Sequence, residues 1–403
     1  MSGLEAFRER ARAWLPSVAP EFAQAARRSL STADDLAVAR RYQRAKFEAG
    51  FAGINWGREW GGQGLSPLHK VAFEEEEMPF GMPNGYFGVS LGMPVPMIMR
   101  YGAEADPGWA RARVLAALKG EEIWCQLFSE PAAGSDLAGL RTKVEPDGND
   151  GWRLNGQKLW TTYAQHADYG VIVARSDPAV PKHKGLTYFW VDMRTRGVTV
   201  LPIRLADGDD HVNEVFLDDV ALGDHQRMGP VGGGFGLALA TLMIERYSAA
   251  DPAGFGPPLD LFIALAQDVQ VGSRPAINDG RIRSSIARNY ALRSGLSSIT
   301  ARALRMMQEG MEPGPEGSLN KLFAVRSRQK LSELAVDLLG HTGLAWDRSG
   351  SVKDDWVASW LNAPTGRIAG GADEMLLNTI AEKILDLPQD HRPDKGVPFN
   401  LIG

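Results

Sequence analysis

The chain changes its hydrophobic period twice, and that alternation limits the folds open to it. Apolar residues recur three and four apart in stretches such as Leu36 to Phe47 and Trp109 to Leu118, the spacing of one helix face. From Trp124 to about Val220 the pattern becomes short runs rich in Val, Ile, Thr, Trp and Tyr: TKVEP, WRL, LWTTY, YGVIVA, TYFWVDM and VTVLPI. Turn clusters separate them, DGNDG at 147–151, LNGQK at 154–158 and ADGDD at 206–210, which predicts an antiparallel sheet. After the glycine-rich PVGGGFG at 230–236 the helical spacing returns and runs to about Leu387. The expectation is an α+β multidomain chain. An all-helical N-terminal domain (1–122) precedes a central antiparallel β domain (123–230), a C-terminal helical bundle (231–388) and a polar tail on the surface (389–403). Gly and Pro mark Asn55–Ser66 and Met78–Pro96 as irregular connections, and Glu74–Glu77 reads as a solvated helix face.

Composition excludes several function classes. Lys and Arg total 44 against 49 Asp and Glu, so a net charge of -5 offers nucleic acid or anionic lipid no broad attraction. No run approaches the roughly 18 apolar residues of a membrane span, and the start MSGLEAFRERARAWLP mixes charge with apolar residues at helical spacing. Neither membrane insertion nor secretion is expected. A single cysteine, Cys125, rules out an intrachain disulfide or a cysteine zinc site and fits a reducing cytoplasm. On an apolar strand it reads as core rather than nucleophile. The seven His show no paired metal-ligand spacing.

The strongest local signal is Ser129-Glu130-Pro131-Ala132-Ala133-Gly134-Ser135-Asp136, followed about 25 residues later by Leu154-Asn155-Gly156-Gln157-Lys158-Leu159-Trp160-Thr161-Thr162. The amides and hydroxyls of Ser129, Gly134, Ser135 and Thr162 suit a polar ring edge or a phosphate, and Trp160 offers a flat face to a heteroaromatic ring. A tight turn packed on a core tryptophan is the bland alternative. Gly88-Val89-Ser90-Leu91-Gly92 matches the G-x-S-x-G elbow of serine hydrolases, but Met82-Pro83-Asn84-Gly85 precedes it where a strand is needed and Met93-Pro94-Val95-Pro96 follows where a helix is needed. The glycines at 232–236 lack the Lys-Ser/Thr ending of a phosphate-binding P-loop.

SEPAAGSD, LNGQKLWTT, NEVFLDDV and GRIAGGADE stand in the order and spacing of the acyl-CoA dehydrogenase family, and the resemblance covers nearly the whole chain. It implies a helical N-terminal domain, a β domain and a C-terminal four-helix bundle, with FAD between the sheet and the bundles of two subunits. Carried over by position, the resemblance implies that Phe128 and Ser129 line the flavin and that Gly134 and Ser135 lie beside substrate and cofactor. It implies that Trp160 and Thr162 pack on and bond to the isoalloxazine. Gln126 stands where many members place an aromatic residue and receives no flavin contact. Electron-transferring flavoprotein is the implied electron acceptor.

The family places its catalytic glutamate at either of two positions. The commoner one resembles Arg-Ile-Tyr-Glu-Gly-Thr, but here the segment reads Arg367-Ile368-Ala369-Gly370-Gly371-Ala372, so Gly370 holds the base position. The other arrangement, similar to the isovaleryl and long-chain members, puts Glu before Arg on the first helix of the bundle, and here that is Ile244-Glu245-Arg246. Glu245 is thereby the implied base, with Ser135, Arg246 and Gly370 implied to face the substrate. The almost wholly apolar run Phe235 to Ile244 sets it at the edge of a buried surface, where desolvation raises a carboxyl pKa and Arg246 opposes the rise. A Glu-Arg pair on a helix surface is the alternative reading. Gly370 also leaves room for a branched, ring-bearing or steroid-derived acyl group.

Two family elements that reach a neighbouring subunit's FAD are missing. Where members carry Arg-x-x-Phe-Gly the chain reads Gln270-Val271-Gly272-Ser273-Arg274-Pro275, and where they carry Gln-x-x-Gly-Gly it reads Asp337-Leu338-Leu339-Gly340-His341. An Asp beside a pyrophosphate is repulsive. These departures resemble branches in which two related subunits form an alpha2beta2 hetero-oligomer. A homo-oligomer with a rearranged adenine contact and a non-catalytic partner subunit are the alternatives.

Overall fold

A computed structural model describes residues 3–148, 150–248, 259–309, 311, 314–344 and 352–402. The chain packs as two compact units, Met1–Glu245 with Asp390–Gly403, and Arg246–Gln389.

In the first unit the helices Gly3–Phe22, Thr32–Glu48, Pro67–Glu77, Gly85–Gly92 and Pro107–Leu118 precede the sheet. Local chemistry sets their starts. Ser31 Oγ accepts the Asp34 amide at 3.2 Å, and Asp106 Oδ1 accepts the Trp109 amide at 2.9 Å with Pro107 opening the helix. Phe7, Leu15, Tyr42, Phe51 and Phe73 close the core between them. Two expectations change here. The Met78–Pro96 stretch is largely helical, because Asn84 and the glycines around it do not prevent i→i−4 bonding over Gly85–Gly92. Ser90 is buried inside that helix and accepts the Trp124 amide at 3.1 Å, so the G-x-S-x-G match forms no elbow. The Glu74–Glu77 run is not a uniformly solvated face: Glu77 is 4% exposed, pairs with Lys46 at 3.1 Å and accepts from Asn84 Nδ2 at 2.8 Å and from the Tyr42 hydroxyl.

The sheet comprises β1 (Trp124–Leu127), β2 (Lys143–Pro146), β3 (Gly151–Thr162), β4 (Tyr169–Arg175), β5 (Leu186–Asp192), β6 (Val198–Ile203), β7 (Val212–Gly223) and β8 (Arg227–Met228). Its order is β6-β7-β3-β2-β4-β5-β8, with β1 alongside β4. The pairing is antiparallel except for β1 on β4 and a single β2–β4 pair, so the sheet is mixed. LNGQK is no turn: WRL and LWTTY are one continuous strand, and Gly156 instead marks a register shift against β7. Val, Ile and Leu of β4, β5 and β7 bury one core against Trp152. A second core joins the sheet to the helices through Trp124, Phe128, Tyr188 and Val114.

Beside that junction, Glu122 pairs with Arg113 at 2.5 Å, while its Oε2 is buried with no hydrogen-bond partner among the described residues. Burial pushes the Glu122 carboxyl up to about 7 against the pull of Arg113. A raised carboxyl favours the folded state when protonated, so this stabilisation is present below the unfolded pKa and is lost as pH rises through about 7. The Tm of the protein relative to Glu122→Gln is expected to fall between pH 5 and pH 8, roughly the span of that titration. A Tm difference that stays constant or grows with pH would contradict the assignment.

In the second unit the helices Leu259–Asp268, Gly280–Gln308, Gly317–Leu339 and Val352–Gly366 pack around Phe262, Leu331, Ala335 and Trp356, and Asp373–Lys383 lies against Gly317–Leu339. Gln270–Val271 and Arg274–Pro275 form a small hairpin turning at Gly272, φ +63°. Asp337 is exposed in the last turn of its helix, an unfavourable end for a carboxylate.

The tail lies on the surface, as expected, but on a fixed path. Its Phe399 amide donates to Val180 O and its Asn400 amide to Pro178 O, both at 2.9 Å, which fastens it to the connection between β4 and β5.

Candidate functional site

The backbone of β3 singles out Trp160. Lys158 faces Val215 of β7 and Thr161 faces Asn213, so three steps on β3 match two on β7 and one residue bulges. Trp160 occupies that bulge with φ +62°, a region costly for a side chain of this size. In strict alternation Trp160 would follow Lys158 into the core; the bulge turns it out instead, and it is 55% exposed. A large indole held strained and open to solvent is poor economy for stability and suits a stacking platform. Beneath it Thr161 Oγ1 and Asn213 Oδ1 are buried without hydrogen-bond partners among the described residues. Thr162 follows at the strand end, half-buried.

The segment after β1 is fastened to this strand. Leu159 donates its amide to Ser129 O at 2.9 Å, which sets Ser129 beside the residue preceding Trp160. Lys158 is fully buried, and its Nζ donates to Phe128 O at 3.1 Å, Val173 O at 2.9 Å and Glu130 at 2.8 Å. All three ammonium donors are met. Glu130 also accepts the amides of Arg141 at 2.6 Å and Thr142 at 3.0 Å. Burial alone would raise the Glu130 carboxyl, but Lys158 and these amides hold it below its ordinary value. The pair locks the Phe128–Glu130 segment and β3 in one register. Gly134 and Ser135 lie exposed on the loop that follows, with open space where a Gly134 side chain would stand.

The helix Gly234–Ser248 begins against β5. A Cβ on Gly234 would lie 2.7 Å from the Thr187 carbonyl carbon, so only glycine permits that approach. Further along, Thr241 Oγ1 and the Tyr188 hydroxyl are 3.1 Å apart in the core, and Phe128 packs edge-on to Tyr188 at 5.9 Å. The helix is thus keyed to Phe128 through Tyr188. Position 245 comes one turn after Thr241. The side chains of Glu245 and Arg246 lie outside the described residues. Gly370 belongs to the second unit, exposed at φ +65°, in a loop tied down by Arg367 to Asp373 at 2.6 Å and by Lys321 to Gly371 O at 2.6 Å.

The structure therefore gathers Phe128, Ser129, Trp160 and Thr162, hangs Gly134 and Ser135 from the same anchor, and sets the helix of Glu245 on the same core. Gln126 pairs with Val171 within the sheet. Cys125 is fully buried with its thiol pushed up to about 12 by desolvation, too high for a nucleophile. A cavity of about 250 Å³ lined by Trp109, Trp190, His225 and Arg227 involves none of the expected positions. No group of three metal-ligating side chains and no helix long and apolar enough to span a membrane occurs among the described residues. Sequence reasoning missed the roles of Glu130, Lys158 and Tyr188. Glu130 and Lys158 sit inside the quoted motifs, and a lysine at an inward position of an alternating strand was the available signal.

Family models match most of the chain: the acyl-CoA dehydrogenase N-terminal domain over residues 3–109, the middle domain over 125–220 and the C-terminal domain over 232–385. The chain is 32% identical over 400 residues to acyl-CoA dehydrogenase IpdE1 of Mycobacterium tuberculosis, covering 97% of this chain and 99% of that protein. It is 36% identical over 354 residues to acyl-CoA dehydrogenase FadE34 of the same organism, covering 86% of this chain but only 46% of that longer protein. Its fold matches the ChsE4-ChsE5 complex from Mycobacterium tuberculosis with a TM-score of 0.82 at 25% identity, covering 97% of this chain and 99% of that one.

Proposed function

The chain belongs to the acyl-CoA dehydrogenase family, and from that premise we propose that it converts an acyl-CoA thioester to the trans-2-enoyl-CoA with FAD as cofactor. The observation that carries this reading is Trp160, exposed at 55% on a strained bulge directly beyond the Ser129–Leu159 bond. The residues fit a flavin: a free indole face, the Thr162 hydroxyl at the strand end, the Ser129 edge and orphaned polar atoms beneath. Bound there, the flavin supplies the two-electron acceptor for the hydride leaving the β carbon.

Glu245 takes the α proton. Its carboxylate gains that proton as the α carbon–hydrogen bond breaks, and the electrons form the new double bond while the β hydrogen departs as hydride. The helix is anchored one turn earlier by Thr241 on Tyr188, so the base is presented from a fixed backbone. Gly134 and Ser135 leave an open, polar loop edge for the thioester, and Arg246 contributes positive charge beside the base. Gly370 removes a side chain near the reacting carbons, which favours a branched, ring-bearing or steroid-derived acyl group. Electron-transferring flavoprotein accepts the electrons, and the enzyme works in the cytoplasm.

The hairpin at Gln270–Pro275 and the exposed Asp337 replace elements that contact a partner's cofactor, and the likeness to a chain of the ChsE4-ChsE5 complex supports an alpha2beta2 assembly with a related subunit. A homo-oligomer is the competing arrangement.

Trp160→Gly separates function from stability. Glycine accepts φ +62° without strain, so the apoprotein Tm is expected not to fall. Loss of stacking is expected to weaken FAD binding about 10- to 100-fold, measured by flavin titration. Unchanged affinity would remove Trp160 from the cofactor site.

A further inference from the structure

We propose that Phe399 and Arg175 are positioning residues for the acyl thioester: the returning tail clamps the loop that carries Gly134 and Ser135. The thioester role rests on the proposed function, in which that loop faces the substrate.

The loop from Pro131 to Arg141 is not placed by sheet pairing. Its internal bonds are local, between Glu130 and Ala133, from Gly139 to Asp136 and from Leu140 to Leu137, and Gly134, Ser135 and Asp136 are exposed. The Glu130 carboxylate closes its base by accepting the Arg141 amide at 2.6 Å, and the rest of its hold comes from outside. Arg175, at the end of β4 and 4% exposed, donates from Nη2 to Ala138 O at 2.5 Å, from Nε to Leu140 O at 3.3 Å and from Nη1 to Lys182 O at 2.9 Å. These acceptors are all carbonyls. Its flat face is covered by Phe399, whose ring centroid lies 3.7 Å from the guanidinium carbon. Arg141, at the far end of the loop, sits over the same ring at 6.0 Å.

A second tether runs in parallel. Lys182 Nζ stands between Asp136 of the loop at 2.8 Å and Asp394 of the tail at 2.7 Å. The tail itself is fastened to the 178–181 segment by the Phe399 and Asn400 amides and by a bridge between Pro181 and Pro398. Phe399 therefore excludes water from a buried cation that would otherwise be attacked on its open face. With the ring gone the guanidinium hydrates, its carbonyl bonds to the loop loosen, and binding must then order the loop at the expense of affinity.

The test compares wild type, Phe399→Ala, Phe399→Tyr, Asp394→Asn and the control Leu401→Ala, which alters a side chain 72% exposed on the same tail. Amide hydrogen exchange over residues 131–141 and steady-state kinetics are measured with an acyl-CoA that reduces the wild-type flavin. Phe399→Ala should speed exchange in the loop and raise KM about tenfold with kcat within about twofold, as loss of a desolvated cation–π contact implies. Asp394→Asn should move both in the same direction by less, and Phe399→Tyr and Leu401→Ala should match wild type. Unchanged exchange, or faster exchange and lower Tm with unchanged KM, would overturn the proposal by leaving the tail a purely structural or idle element. Failure of every acyl-CoA to reduce the wild-type flavin would instead overturn the dehydrogenase reading and the thioester role with it, while exchange would still decide whether the tail holds the loop.

Discussion

Glutamine at position 245 should leave a folded, flavin-containing protein whose kcat falls about 10²- to 10⁴-fold, the usual contribution of a general base. The substitution keeps the shape of the side chain and removes only its ability to accept a proton. Nothing else in the proposed reaction can replace it, because the family's other base position is Gly370. The key comparison is between chemistry and assembly: flavin absorbance, FAD affinity and Tm stay at wild-type values while the reductive half-reaction slows. Full activity in Glu245→Gln would place the base elsewhere.

Lys158→Met should cost about 3–5 kcal/mol of stability, since it leaves the Glu130 carboxylate buried with half of an ion pair. The loss has a second part. Lys158 bonds Phe128 O and Val173 O as well, so the Ser129 segment loses its hold on β3 and FAD binding should weaken with the fold. The double variant with Glu130→Gln should recover a substantial share, because the uncompensated charge is then gone. Denaturant unfolding of the two single variants and the double variant measures this directly. A single variant within about 1 kcal/mol of wild type would show that the pair is not the lock assigned to it.

The change of hydrophobic period from helical to alternating and back was sufficient to recover the helix, sheet, helix order, because both periods are properties of local burial. What it could not show was register. LNGQK carries the Asn-Gly turn signal, yet the strand runs through it, since β7 on one side and β2 on the other supply the backbone partners that a free turn would lack. The parallel pairing of β1 with β4 was likewise invisible, because a short buried strand such as Trp124–Leu127 reads the same in either direction. Glu77 looked solvated among its neighbours and is instead met by Tyr42, Lys46 and Asn84 from elsewhere in the helical layer.

At the proposed site the motifs mark two segments that the structure places side by side. Trp160 and Ser129 are adjacent through a backbone bond no spacing rule predicts, and the bulge that exposes Trp160 depends on a one-residue mismatch with β7. The tail shows the same limit from the other direction. Its polar composition suggested the surface path it takes, but not that one aromatic residue, Phe399, would cover a buried arginine.

The central claim is that this chain dehydrogenates an acyl-CoA. It is tested most directly by the visible spectrum of the purified protein before and after anaerobic addition of straight, branched and steroid-side-chain acyl-CoAs. The account predicts a flavin band near about 450 nm that is bleached by a bulky thioester, either by the chain alone or once a related subunit is added. A flavin band that no thioester bleaches, with or without such a subunit, would contradict it.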